Sequence, residues 1–345
     1  FSDFPEALPR GPRSTCYSPS VSHPDALIGQ GQIEHYMVAA RYYMRKGLAR
    51  STIKVYDFAW RTFALFCLSV SMPVQPVAMK TVCAFICNCT DVRHFKPPYI
   101  RSLLAGIQFH IRCSDPEFPS LFSHISVKLL LKGITQELPQ IPNSRRPITL
   151  PILQQMVDTL RGGVFSPYSD TLLEAVFLLA FYAFLRCGEF TTSTNSFSPD
   201  TDLTAGDLTF YPTHYQLRLR HSKRGGACSV IVARTESDLC PFRAMLGYLR
   251  VKPTAGPTTP LFLTPGNAPL SRTWFRHHLN IVLTRSHLSP HHYSGHSFRI
   301  GAATSASNQG IPGTTLQQMG RWSSSAVTSY IRPDLTMILA KQRAL

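Results

Sequence analysis

Tyr330 is the only tyrosine after a His296-Ser297-Phe298-Arg299 segment and a Gly320-Arg321-Trp322 element near the end of the chain. Residues of these types, in this order, are what attack on a phosphodiester by a phenol requires. A phosphate under attack gathers negative charge on its non-bridging oxygens, and the planar fork of a guanidinium matches two such oxygens at once. A tyrosine hydroxyl is a weak nucleophile until it is positioned and its proton is accepted, which a histidine one helical turn from an arginine can do. A His-x-x-Arg pair occurs by chance in many helices, so its weight depends on what lies upstream.

Upstream, Phe184-Leu185-Arg186-Cys187-Gly188-Glu189 ends the most apolar stretch of the chain with a cation. Burying an arginine there is costly without an anionic partner, and Glu189, three residues on, is placed to hold it. Lys223 falls in His221-Ser222-Lys223-Arg224-Gly225-Gly226, a turn signal between two β-like runs. From a hairpin tip its ammonium can reach into a groove and protonate a leaving oxygen; Arg224 is its rival for that role.

These residues need elements to carry them. From Ala26 to Glu137 the pattern is helical throughout. Ile53, Tyr56, Trp60, Phe63, Ala64 and Cys67 recur at three- and four-residue steps, with Ser51 as the expected N-cap. Ile100, Leu103, Leu104, Ile107 and Ile111 repeat the theme behind Pro97 and Pro98, which suit a helix start. The polar faces carry Arg41, Arg45, Lys46, Arg50, Lys54, Arg61, Arg93, Lys96 and Arg101, with few carboxylates nearby, so a nucleic-acid surface is expected on them. Leu138 to Pro151 holds four prolines and cannot continue a helix; Arg145 and Arg146 on it could grip a backbone phosphate. Helical patterns then resume, interrupted by β-like runs at Asp207–Phe210, Gln216–Arg220 and Ser229–Ala233. The expected organisation is an extended or disordered segment 1–25, a helical DNA-binding domain 26–137, a linker 138–151, and a domain 152–345 with a C-terminal tail helix. The fold class is mostly α with a small β-hairpin or sheet. The chain opens on Phe1, as a piece of a longer product would.

The 345 residues include 35 Lys+Arg against 19 Asp+Glu, a formal charge of +16 that favours a polyanionic partner. The basic residues are spread along the chain and not gathered on one amphipathic helix, which argues against a membrane surface. The apolar run Leu172–Leu185 is too short to span a bilayer and contains Glu174. Nine cysteines without framework spacing point to free thiols in a reducing compartment. Cys83, Cys87, Cys89 and His94 lack a second ligand pair at finger-like spacing and read as buried thiols. His291, His292 and His296 have no carboxylate or cysteine near them in sequence, so no metal and no cofactor is expected.

Taken in order, Arg186, Lys223, His296-x-x-Arg299, Gly-Arg-Trp and Tyr330 resemble the active-site signature of the tyrosine recombinases, the phage-type integrases and their relatives, over about Ala26–Leu345. HSFRIGAAT, MGRWSS and SYIR look most like the recombinases of eukaryotic mobile elements, the DIRS-like retrotransposons and cryptons. The resemblance implies an N-terminal helical, SAM-like core-binding bundle and a mostly helical catalytic domain. It implies that Tyr330 attacks the scissile phosphate to give a 3′-phosphotyrosyl bond, and that Arg186 and Arg299 clamp the phosphate oxygens. Lys223 would protonate the departing 5′ oxygen, His296 would assist proton transfer from the tyrosine, and Glu189 would support Arg186. The family has His or Trp nine positions before the tyrosine; here that place holds Arg321, and either Trp322 or Arg321 fills the role. The resemblance further implies double-stranded DNA as partner, a tetramer on DNA in which the tail Asp334–Leu345 docks on a neighbour or on its own domain, and a nuclear location. A catalytically silent DNA-binding relic and a type IB topoisomerase-like activity are the competing readings.

Overall fold

The computed structural model describes residues 26–138, 145–193, 196–220, 226–253, 256–323, 325–332, 339 and 342–343. The expectations for 1–25, Lys223, Arg224 and most of the tail 334–345 lie outside the described residues. The chain forms two compact units, divided between Gln140 and Ile141.

The first unit is a helical bundle: α1 (Ala26–Lys46), α2 (Arg50–Ser69), α3 (Met79–Cys87), α4 (Pro97–Ser114) and α5 (Ile125–Glu137), with one π turn at Asn88–Val92. The apolar spacing read from the sequence becomes its core, where Ala59, Phe63 and Cys67 meet Val82, Phe85, Ile86, Leu103, Leu104, Ile107 and Leu131. Helices α2 and α4 approach so closely that a β-carbon on Gly106 would stand 2.7 Å from that of Ala59. The helix expected to start behind Ser51 starts two residues earlier, with Ala49 extended as its cap and no side chain capping it. Asp57 of α2 takes both terminal nitrogens of Arg45, at 3.0 and 2.8 Å, and lies 3.0 Å from His110 Nε2. Arg45 and Arg41, which donates to the Cys113 carbonyl, are thereby spent on holding α1 against α2 and α4. Burial pushes the Cys89 thiol up to about 11, so it stays protonated.

The second unit comprises α6 (Leu150–Arg161), α7 (Pro167–Tyr182), α8 (Cys187–Phe190), β1 (Leu208–Phe210), β2 (His214–Leu219), β3 (Cys228–Ala233), α9 (Pro241–Val251), α10 (Arg272–Arg285), α11 (Ser297–Asn308) and α12 (Gly313–Gly320). Helix α6 begins inside the proline-rich stretch read as linker, with Pro151 in its first turn, where a missing N–H costs nothing. Helix α7 is apolar on most sides because it is buried on most sides, packing against α6, α9 and α11, while half-buried Glu174 pairs with Arg161. The strands form an antiparallel sheet in the order β1-β2-β3, with Leu208 opposite Leu217 and Leu217 opposite Val230. Its inner face presents Tyr215, Leu217, Leu219, Val230 and Val232, the period-2 alternation of a half-buried sheet.

Residues 145–149 run extended along α11. The Arg146 N–H donates to the His292 carbonyl at 2.7 Å and the Ile148 N–H to that of Ser297 at 3.0 Å. Helix α11 accepts this segment only because residue 301 is glycine: a β-carbon there would lie 1.7 Å from the Ile148 carbonyl oxygen.

Candidate active site

Arg186 sits between two helices. Helix α7 stops with Phe184 in the left-handed region, φ 51°, and Leu185 N–H closes back on the Ala180 carbonyl at 3.0 Å. A bulky residue adopts that conformation only where its surroundings hold it. Here the Phe184 ring meets the Trp322 ring edge-on, centroids 6.0 Å apart, and its carbonyl accepts from Arg299 Nη1. The next turn makes Arg186 the N-cap of α8, and not the last residue of α7 as its place in the sequence suggests. Glu189 accepts from the Arg186 backbone N–H at 2.8 Å and from Nη1 at 3.0 Å.

Helix α11 brings His296 and Arg299 to the same place. Arg299 is wholly buried, its Nη1 donating to the Phe184 carbonyl and its Nη2 to that of Gly320. Both terminal nitrogens expected to clamp a phosphate are thus engaged with the protein's own backbone. Its guanidinium carbon lies 4.3 Å from the Trp322 ring centre and 5.5 Å from that of Tyr330. Burial, then the cations Arg186 and Arg321, lower its pKa, against Glu189 and Tyr330, which raise it. The His296 ring stands 5.2 Å from the Tyr330 ring. Burial, followed by Arg299, Arg145 and Arg186, depresses the His296 pKa from 6.5 to about 4. Its imidazole is therefore neutral at pH 7, the state that accepts a proton.

The tyrosine-bearing segment closes the arrangement. Trp322 lies 5.0 Å from Tyr330, ring to ring, and both face Arg299. A β-carbon on Gly320 would fall 1.7 Å from the indole, so glycine here is the condition for Trp322 to fold back. Thr304, two turns along α11 from His296, receives the Arg332 N–H at 3.1 Å and donates to the Tyr330 carbonyl at 3.4 Å. Arg321 reaches Glu189 and the Ala183 carbonyl.

The structure thus brings together Arg186, Glu189, His296, Arg299, Arg321, Trp322 and Tyr330. Arg145, expected to grip DNA from a linker, is exposed and close enough to act on His296; Arg146 is exposed with its backbone tied to His292. Arg50, Lys54 and Arg61 share one exposed face of α2, within an arc of about 40°, and Arg101 is exposed on α4. All four lie in the first unit. Among the described residues no group of three His, Cys, Asp or Glu is placed to hold a metal, and no helix is long and apolar enough to cross a membrane. The sequence assigned no role to Gly301, Thr304, Gly320 or Phe184. A threonine eight residues from a candidate histidine was a readable signal, since both fall near one face of a helix; the other three have none.

A constellation of three guanidiniums around one carboxylate, with a neutral imidazole and a phenol in ring contact, suits an anion that reacts with the phenol. Solved structures share the fold. The Tn1549 transposon integrase in complex with circular intermediate DNA superposes with a TM-score of 0.60 at 16% identity, covering 89% of this chain and 98% of that one. The XerH site-specific recombinase bound to a palindromic difH substrate gives 0.57 at 12% identity, over 82% and 75%. A lambda integrase dimer bound to a core site gives 0.54 at 13%, over 90% and 81%. No family model and no curated protein sequence matches the chain.

Proposed function

We propose that this chain is a DNA-breaking and rejoining enzyme of the tyrosine-recombinase kind, acting through a 3′-phosphotyrosyl intermediate. The observation that carries the reading is the placement of Tyr330 in ring contact with His296 and Trp322, 5.5 Å from the Arg299 guanidinium. The fold shared with DNA-bound integrases supports a DNA substrate, as does the charge of +16. In the proposed step the Tyr330 oxygen bonds to phosphorus and its proton passes to the neutral His296. The bond from phosphorus to the 5′ oxygen breaks, and that oxygen takes a proton, by the resemblance from Lys223. Arg186 and Arg299 carry the charge that grows on the phosphate, Arg299 by exchanging a carbonyl partner for a phosphate oxygen. The ester keeps the bond energy, so rejoining is attack by a 5′ hydroxyl with the same groups working in reverse.

A eukaryotic mobile-element origin and nuclear action are finer forms of this reading that rest on the resemblance of HSFRIGAAT, MGRWSS and SYIR; a tetramer with exchanged tails rests on the resemblance to the wider family. A second reading has its own support: Arg299 is sealed against carbonyls, as it would stay in a DNA-binding relic that no longer cleaves. The test is covalent trapping on a pool of nicked duplexes randomised around the nick. The enzyme reading expects an adduct with wild type and none with Tyr330→Phe, at nearly unchanged DNA affinity. An adduct that persists in Tyr330→Phe at the wild-type level overturns the assignment of the nucleophile. Tight binding without any adduct favours the relic.

A further inference from the structure

Position 321 is where the resemblance places a ring with an N–H donor, and this chain has an arginine. Arg321 ends α12 in the left-handed region, φ 55° and ψ 43°, which turns its side chain inward until 14% remains exposed. Nη2 donates to Glu189 Oε2 at 3.0 Å and Nη1 to the Ala183 carbonyl at 3.1 Å. Nε is buried without a partner among the described residues. Each terminal nitrogen thus has a protein acceptor, and one of the two is a charged carboxylate, unlike the neutral carbonyls that hold Arg299.

Glu189 is what this arginine holds. Its carboxylate is 7% exposed and takes Arg186 Nη1 on one oxygen, with the Arg186 backbone N–H and Arg321 Nη2 on the other. Given one cationic partner, a buried carboxylate closes on it as a two-point pair; a second guanidinium fixes it midway and leaves the first partly free. The Ala183 carbonyl, gripped by the same side chain, precedes Phe184, whose own carbonyl holds Arg299. Arg321 therefore joins the tyrosine-bearing segment to the turn that aims Arg186.

On the reading of the chain as a phosphotyrosyl-forming enzyme, we propose that Arg321 is a positioning residue that acts through Glu189 on Arg186, and that it does not itself donate to the phosphate. Loss of Arg321 lets Glu189 draw Arg186 off the phosphate, so the chemical step suffers and DNA binding does not.

The experiment uses the nicked duplex that the wild-type chain selects from the randomised pool. Single-turnover adduct formation at saturating protein and the Kd for the same duplex are measured for wild type, Arg321→His, Glu189→Gln and the double variant. The expected result is a roughly hundredfold slower step for Arg321→His with Kd within about twofold. In the Glu189→Gln background the same change should cost less than about threefold, because the two residues act as one unit. A wild-type rate for Arg321→His, the ring the family uses, overturns the proposal, as does an equal loss in both backgrounds. If Arg321→His does not fold, Arg321→Lys carries the same cycle, since an ammonium can reach Glu189 but cannot also hold Ala183. Absence of any adduct with wild type overturns the functional reading and this proposal with it, an outcome distinct from both of the others.

Discussion

Acidifying the protein from about pH 8 to about pH 4.5 should cost the second unit stability, with His296 accounting for a definable share. The ring is half-buried at the head of α11. Burial first, then Arg299, Arg145 and Arg186, hold its pKa at about 4, whereas the unfolded imidazole takes up a proton near 6.5. Between those values the unfolded chain binds more protons than the folded one. Stability from this group is therefore full above about pH 6.5 and drains away as pH falls toward about 4. The gap sets a ceiling of about 3.4 kcal/mol, and screening of a ring still partly in solvent brings the expectation to about 1–2 kcal/mol. Urea unfolding at a series of pH values reads it, comparing the chain with its His296→Gln variant. With Trp60 replaced by Phe in both, the emission of Trp274 and Trp322 reports the second unit alone. The variant should lose less stability on acidification, by that amount. A pH-independent difference between the two proteins, or an imidazole that titrates by NMR at 6.5 or above, would refute the reasoning.

Gly301→Ala places a methyl group against the Ile148 carbonyl, a backbone atom that cannot swing aside; thermal unfolding should show a loss of about 3 kcal/mol. Gly320→Ala drives the Trp322 indole off Arg299, so tryptophan emission should shift to the red and adduct formation should slow about a hundredfold with DNA binding retained. Affinity for duplex DNA should fall roughly a thousandfold or more between about 50 and 200 mM salt if six or more phosphates are neutralised; a flat response in a binding titration would remove the argument from charge.

Much of this fold was legible because burial writes itself into spacing. The three- and four-residue steps of α2 and α4, and the unbroken apolar run of α7, needed no tertiary knowledge. Contacts between residues far apart in the chain were not legible. Nothing local says that Asp57 will meet both Arg45 and His110, or that the Gly301 face will receive Ile148, some 150 residues away. Left-handed residues hid the rest. A phenylalanine at positive φ violates the preference of its type, so Arg186 read as the end of one helix when it opens the next. The same geometry at Arg321 decides which of two adjacent side chains turns toward Glu189 and which lies over Arg299, a choice that two letters in a row cannot express. The order of residue types alone singled out Arg186, His296, Arg299, Trp322 and Tyr330, which the fold brings together; their partners, above all the carbonyls of Phe184 and Gly320, carry no side-chain signature.

Those two carbonyls also bear on how the second unit comes into being. Arg299 is emplaced by acceptors from two distant stretches, one more than a hundred residues before it and the other about twenty after. A chain in synthesis that has reached the end of α11 holds a guanidinium destined for the interior with only half of its acceptors made, and closing the core over it would strand a charge. Completion must wait for Gly320 and the indole behind it, which arrive together with the residue proposed to attack. Deleting the last stretch would not leave a folded unit that lacks only its nucleophile. It would leave a core with an open seam.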